Sequence, residues 1–251
     1  QGIKMHRTDG LYFNYAIFTN ISPDHIGPGE HADFEEYLYY KTRLLNMCGI
    51  GLVNKDDEHA PQIIKAANCE LYTYSEESKE ADFVASDIRY VSQPDFVGTE
   101  FHISGKYDME VRLGIPGLFN VVNALAAVSV CSFLGLDQAR ISHALENIRV
   151  NGRMEIVYTS ERCTVLVDYA HNAVSMESLL STLRDYKPKR LVCVFGCGGN
   201  RSKDRRYSMG EIGGKMADLS IITADNSRYE KVEDIIADIR GSIEKTGGKF
   251  I

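Results

Sequence analysis

Between residues 155 and 251 the chain repeats one unit three times: a short apolar run, a polar cluster, then a stretch long enough for a helix. The runs CTVLVDYAH, RLVCVFG and LSIITADN, at 163–171, 190–196 and 219–226, open these units, and helices are expected over 174–186, around Met209 and over 232–245. Strands alternating with helices predict a doubly wound parallel sheet, because parallel neighbours need a crossover between them. The polar residues all fall at strand carboxyl ends: Asp168 and His171, then Gly198, Gly199 and Arg201, then Asp225, Asn226 and Arg228. Each alone reads as a cap or turn former. In open α/β sheets, however, that edge is where ligands bind, and three successive ends with this chemistry predict a site.

The first half has a different texture. Residues 18–41, FTNISPDHIGPGEHADFEEYLYYK, read as a strand, a polar turn around Asp24 and His25, and a helix. Asp33 as N-cap with Glu36 three residues on predicts a capping box. Phe34, Tyr37, Leu38, Leu44 and Leu45 recur at helical spacing and should share one core-facing stripe, with Lys41 inside it. A lysine so placed can snorkel its ammonium to water. Alternatively, burial favours the neutral amine, which can take up carbon dioxide and become a carbamate able to bind magnesium, with His25 as a second ligand.

Next, CGIGLVNKDDE at 48–58 reads as a buried parallel strand, with Asp56 and Asp57 as loop or cap residues. Pro61 opens a short helix through Ala67. Four short alternating strands follow, at 70–75, 81–91, 99–104 and 107–113. Together they predict a parallel sheet plus a smaller, mostly antiparallel one. Residues 114–135 form a turn and a helix stopped by Gly135, with Asn120 and Asn123 on one side of its first turn. Asp137 caps a further helix over 138–147. VNGRME at 150–155 then reads as a hinge, where Gly152 permits a bend and Arg153 offers a fork of donors for phosphate. We therefore expect one domain over 1–149 and a second over 150–251.

Composition excludes several classes. A net charge of -7 with no basic face argues against nucleic acid. The six cysteines show no CxxC pair and read as reduced cytosolic thiols rather than a zinc site or disulfide framework. No apolar run is long enough to span a membrane. With the cysteine usage, a cytoplasmic protein is expected, acting as a monomer. GCGG at 196–199 lacks the GxGxxG order of a dinucleotide loop, and no Gly-Lys-Ser/Thr phosphate loop occurs.

Several motifs, in this order, resemble the Mur ligase family: TNxxxDH at 19–25 followed by Lys41, GxxNxxNAxAA at 117–127, GRxE at 152–155, LVDYAH at 166–171, FGCGGNRxKxxR at 195–206 and DNxR at 225–228. The resemblance implies a partial central ATPase domain followed by a truncated Rossmann-like domain, the phosphate loop lying upstream. It assigns magnesium to His25 and a carbamate on Lys41, and the adenine of ATP to Asn123 with Asn120 beside it. Arg153 takes the phosphates after domain closure, and Asp168 the ribose. The closest branch adds the third peptide residue to UDP-MurNAc-L-Ala-D-Glu. There Arg7 would contact the UDP-muramoyl substrate, and His171, Arg201, Asn226 and Arg228 would line the site for the incoming diamino acid. Arg228 favours diaminopimelate, although Ser227 stands where DNPR has proline. Another amide ligase of the superfamily, adding lysine, glutamate to folate, or a storage polypeptide, remains open, as does a non-catalytic scaffold.

Overall fold

The computed structural model describes residues 2–22, 26–27, 30–93 and 95–251. The chain forms two compact units, one of Gln1–Arg89 with Gly98–Arg149, the other of Tyr90–Val97 with Val150–Ile251.

In the first unit, β2 (Cys48–Asn54) lies between β1 (Phe13–Phe18) and β3 (Glu70–Ser75), parallel to both. Its unbroken apolar run suits a strand covered on both faces, and Leu52 and Val53 are fully buried. β4 (Phe83–Gln93) pairs parallel with β3, β5 (Phe96–Gly105) follows, and β6 (Met109–Leu113) runs antiparallel to β5. The parallel and antiparallel parts, expected as separate sheets, thus join in one six-stranded sheet ordered β1-β2-β3-β4-β5-β6. The helices α1 (Phe34–Thr42) and α2 (Ala60–Ala66) close one core through Tyr37, Leu38 and Ile63 against Phe18 and Val53. α3 (Leu118–Phe133) packs Val121, Leu125 and Val128 inward. Its last residue, Phe133, meets Tyr15 of β1, Tyr72 of β3 and Phe83 of β4, with ring centroids at 6.2, 4.7 and 5.8 Å. α4 (Gln138–Glu146) is capped by Asp137, which accepts from the Ala139 N–H at 2.9 Å.

Two details of α1 differ from expectation. Asp33 accepts from the Glu36 N–H at 2.8 Å, but the Glu36 carboxylate reaches the Ala32 N–H rather than that of Asp33, because the Lys4 ammonium holds it at 2.7 Å. The capping box is therefore half formed. Lys41 is exposed, outside the core stripe. The helix ends at Thr42 and tightens into a 3-10 turn at Arg43–Asn46, so buried residues run Leu38, Thr42, Leu45 and leave Lys41 on the flank. Its Nζ lies 5.3 Å from the Tyr37 ring centroid.

In the second unit, β7 (Glu155–Thr159) and β8 (Thr164–Val167) form an antiparallel hairpin. β9 (Val192–Phe195) and β10 (Leu219–Ile222) are parallel, and Lys249–Ile251 bonds along β10, as in Ser220 N–H to the Lys249 carbonyl at 2.8 Å. β8, expected to open the parallel sheet, pairs with β7 instead. The turn closed by Ser160 N–H on the Cys163 carbonyl at 2.9 Å makes that local partner the nearer one. The helices α5 (Ala173–Asp185), α6 (Lys203–Met216) and α7 (Val232–Thr246) bury Met176, Leu180, Met209, Ile235, Ile239 and Ile243 in a second core. Gly210 lets α7 approach α6, since a Cβ there would lie 2.7 Å from the Ile239 carbonyl oxygen.

Candidate active site

The loops that follow β9 and β10 are hydrogen-bonded to each other. The Gly199 N–H donates to the Asn226 carbonyl at 2.8 Å, and the approach is so close that a Cβ on Gly199 would sit 1.8 Å from the Ser227 carbonyl oxygen. Asn200, held at φ 51°, donates its N–H to Glu230 Oε1 at 2.5 Å and accepts from the Tyr229 N–H at 3.1 Å. Beneath them Arg206, from the first turn of α6, is 1% exposed. Its fork donates to Glu230 Oε2 at 2.7 Å and to Asp238 Oδ2 of α7 at 2.9 Å. The Arg206 hydrogen bond, then that from the Asn200 N–H, holds the Glu230 carboxyl below its usual range. For Asp238, burial pushes upward, but hydrogen bonds from Arg206 and Lys203 outweigh it and the carboxyl is lowered. The result is one braced rim on which Arg201, Asn226 and Arg228 are all exposed. Two guanidinium groups on adjoining fixed loops suit a ligand with carboxylates to clamp.

At the end of β8, Asp168 accepts from the Met154 N–H through Oδ2 and the Ala170 N–H through Oδ1, each at 2.8 Å. It thereby pins the turn in which Gly152 has φ 68° and Met154 φ 45°. Arg153 is exposed, with its guanidinium 4.9 Å from the Tyr169 ring centroid. His171 closes on Tyr169 as well: its ring centroid lies 5.0 Å from that of Tyr169, and its Nδ1 lies 3.0 Å from the Tyr169 carbonyl. Arg153, Tyr169 and His171 thus form one exposed group.

In the first unit, Asn120 donates from Nδ2 to the Pro116 carbonyl at 2.6 Å, which commits it to the turn before α3. Asn123, one turn on, is exposed. The two asparagines therefore divide into a turn-closing and a solvent-facing residue. Arg7 is exposed in the N-terminal turn, which Lys4 anchors by donating to the Glu36 carboxylate at 2.7 Å and the Glu30 carbonyl at 2.8 Å. His25 lies outside the described residues. Among the described residues no group of three or more His, Cys, Asp or Glu could hold a metal ion. Asp57 accepts from the Ile21 and His59 N–H groups, both at 2.9 Å, and Asp56 from the Ser75 hydroxyl and the Glu76 N–H.

Glu76, beside Asp56, has a distinct charge state. Burial, then the charges of Asp56 and Glu77, push its carboxyl up to about 7. Stability from such a raised carboxyl is fully present below the ordinary carboxylate range and is lost as pH rises through about 7. Glu76→Gln should therefore stabilise the protein by about 1 kcal/mol near pH 8 and leave it unchanged near pH 4. Thermal unfolding at the two pH values checks this; equal effects at both would refute it.

A family model for the Mur ligase middle domain matches residues 1–131, and one for the Mur ligase, glutamate ligase domain, matches residues 152–249. The chain belongs to the Mur ligase family. Among Mur ligases it is similar to UDP-N-acetylmuramoyl-L-alanyl-D-glutamate--2,6-diaminopimelate ligase 2 of Clostridium acetobutylicum, at 38% identity over 249 residues, covering 99% of this chain and 50% of the relative. The 2,6-diaminopimelate ligase of Clostridioides difficile is 38% identical over 253 residues, covering 97% and 50%. A solved structure of a ligase of that same description matches with a TM-score of 0.74 at 30% identity, covering 99% of this chain and 51% of that one. The chain spans about half the length of the curated Mur ligases it matches.

The residue that sequence reasoning passed over is Arg206, the last of the FGCGGNRxKxxR run. A signal was present. Met209, Gly210 and Gly213 stand three, four and seven residues after it, all buried, so helical spacing puts Arg206 on the inner face of α6. A charged residue there requires buried partners.

Proposed function

We propose that the chain is the middle and C-terminal part of an ATP-dependent ligase that adds a diamino acid, 2,6-diaminopimelate, to UDP-MurNAc-L-Ala-D-Glu. The observation that carries this reading is the pair of hydrogen-bonded loops presenting Arg201, Asn226 and Arg228, read beside the diaminopimelate ligases named above. In the reaction, the terminal glutamate carboxylate attacks the γ-phosphorus of ATP, giving an acyl phosphate and ADP. The amine of the diamino acid then attacks the acyl carbon. An amide forms, phosphate leaves, and the amine gives up a proton.

Each residue has a task in that sequence. Arg201 and Arg228 would clamp the distal carboxylate by charge-assisted bonds, with Asn226 and His171 completing the pocket and setting which amine faces the acyl carbon. Arg153, whose described contact is the Tyr169 ring, is free to move onto phosphate, where a fixed positive charge stabilises the transferring group. Asp168 would accept from ribose hydroxyls with the lone pairs its two backbone bonds leave. Asn123 would pair with adenine, with Asn120 shaping the turn beneath, and Arg7 would bind the UDP-muramoyl part.

The Lys41 side chain is exposed and its Nζ lies 5.3 Å from the Tyr37 ring centroid, so the carbamate role rests on the family motif around it and not on burial. His25 and a Lys41 carbamate would hold magnesium, a hard cation that takes oxygen donors and neutralises phosphate charge. The enzyme would act in the cytoplasm on a nucleotide-linked substrate; no described helix is long and apolar enough to cross a membrane.

The test uses this chain alone. Calorimetric titration should show meso-diaminopimelate binding more tightly than L-lysine, and Arg228→Ala should weaken the former at least about tenfold. Equal binding of the two amino acids, or an Arg228→Ala variant that binds like wild type, would remove the amino-acid assignment.

A further inference from the structure

We propose that Arg206 is a positioning residue for amino-acid recognition: by bracing the two rim loops through Glu230, it sets the separation of Arg201 and Arg228 and so selects an acceptor with two carboxylates. The inference rests on the ligase reading above and names what makes its site selective.

The connections run in one direction. Arg206 is buried, and its two terminal nitrogens point to different elements: one to Asp238 on α7, the other to Glu230 on the loop after β10. The Asp238 branch alone would suffice to hold α6 to α7. The Glu230 branch goes to the rim, where its other oxygen takes the Asn200 N–H, next to Arg201. Asn200 in turn takes the Tyr229 N–H, next to Arg228, while Ser227 on the other flank of Arg228 lies against Gly199. The backbone beside each rim arginine is thus tied to the opposite loop, and both ties converge on one guanidinium. Arg228 is held at φ 52°, a left-handed conformation that a non-glycine residue keeps only where its surroundings hold it. Two guanidinium groups grip one distal carboxylate together only if their spacing is fixed, because an error on the order of 1 Å loses the second contact.

A brace and a mere stabiliser predict different behaviour for Glu230→Gln. The substitution keeps the shape and the Arg206–Asp238 pair but weakens the bond to Arg206. By charge alone, removing an anion two residues from Arg228 should strengthen dicarboxylate binding. Loss of affinity would therefore report geometry. In the 251-residue chain, Glu230→Gln should weaken meso-diaminopimelate about tenfold and L-lysine less than about twofold. Amide hydrogen exchange should quicken at Asn200 and Tyr229 and stay unchanged along α6 and α7. Unchanged affinity for both amino acids, or equal losses for both, would overturn the selectivity claim, the second outcome leaving Arg206 a stabiliser only. If the wild-type chain does not discriminate between the two amino acids, the amino-acid assignment above falls instead and the exchange rates decide the brace, unchanged rates at Asn200 and Tyr229 overturning it.

Discussion

Lys41→Ala, made in a full-length ligase carrying this sequence, should lower ligation about a thousandfold, the scale of losing one preorganised charge-stabilising group at a phosphoryl-transfer centre. The expectation follows from what the side chain would become. As an ammonium, Lys41 repels a divalent cation; as a carbamate it supplies two anionic oxygens. Alanine removes both forms. Its exposed position means that the substitution opens no cavity, so the fold should be retained and circular dichroism should match wild type. Short carboxylates such as acetate or formate, added to the alanine variant, should restore part of the rate by occupying the vacated place. A variant with full activity would remove Lys41 from the mechanism, and an inactive, folded variant that no carboxylate rescues would leave its charge important but its carbamate unsupported.

Gly199→Val should be the most destabilising single change at the rim. The first added carbon would meet the Ser227 carbonyl oxygen at 1.8 Å and its carbon at 2.6 Å, both backbone atoms that cannot rotate away. The loops must part, the Gly199–Asn226 bond at 2.8 Å is strained or lost, and the Asn200–Glu230 tie lies next to the damage. Overpacking at such a contact costs about 3 kcal/mol, and the melting temperature should fall by roughly 10 °C. Gly241→Ala is the matched control. Nothing lies within 4 Å of a Cβ there, and the position is inside α7, so alanine should stabilise by about 0.5–1 kcal/mol through helix propensity. If both substitutions shift the melting temperature alike, the close approach of the two loops is not what holds the rim.

Much of the fold is legible because its signals are local. The Asp33 and Asp137 caps, the unbroken apolar run of β2, the stop at Gly135 with φ 68° and the strand-helix units of the second half each depend on a few adjacent residues. The placement of Arg201, Asn226 and Arg228 at strand carboxyl ends follows from the same periodicity. The misread features depend on partners distant in sequence. Lys41 sits at helical spacing from core residues, yet the buried line runs Leu38, Thr42, Leu45 as the helix tightens past Thr42. Glu36 leaves the capping box because Lys4, thirty-two residues earlier, competes for it. β8 could take either neighbour, and the short turn to β7 decides. Asp168 alone reads as a cap or turn former, and so it is for Ala170, but its other oxygen ties down Met154, fourteen residues earlier. Arg206 went unremarked for the converse reason: its partners, Glu230 and Asp238, are surface-type residues until α7 folds against α6.

The wedging of Phe133 among Tyr15, Tyr72 and Phe83 gives α3 the character of a lever with its fulcrum in the sheet. Asn123 stands ten residues from that fulcrum, about 15 Å along the axis at the rise of an α-helix. A few degrees of tilt at the aromatic cluster therefore becomes a displacement on the order of 1 Å at the asparagine. Were Asn123 to seat a base as proposed, the depth of that seat would depend on the aromatic rings at the far end of the helix.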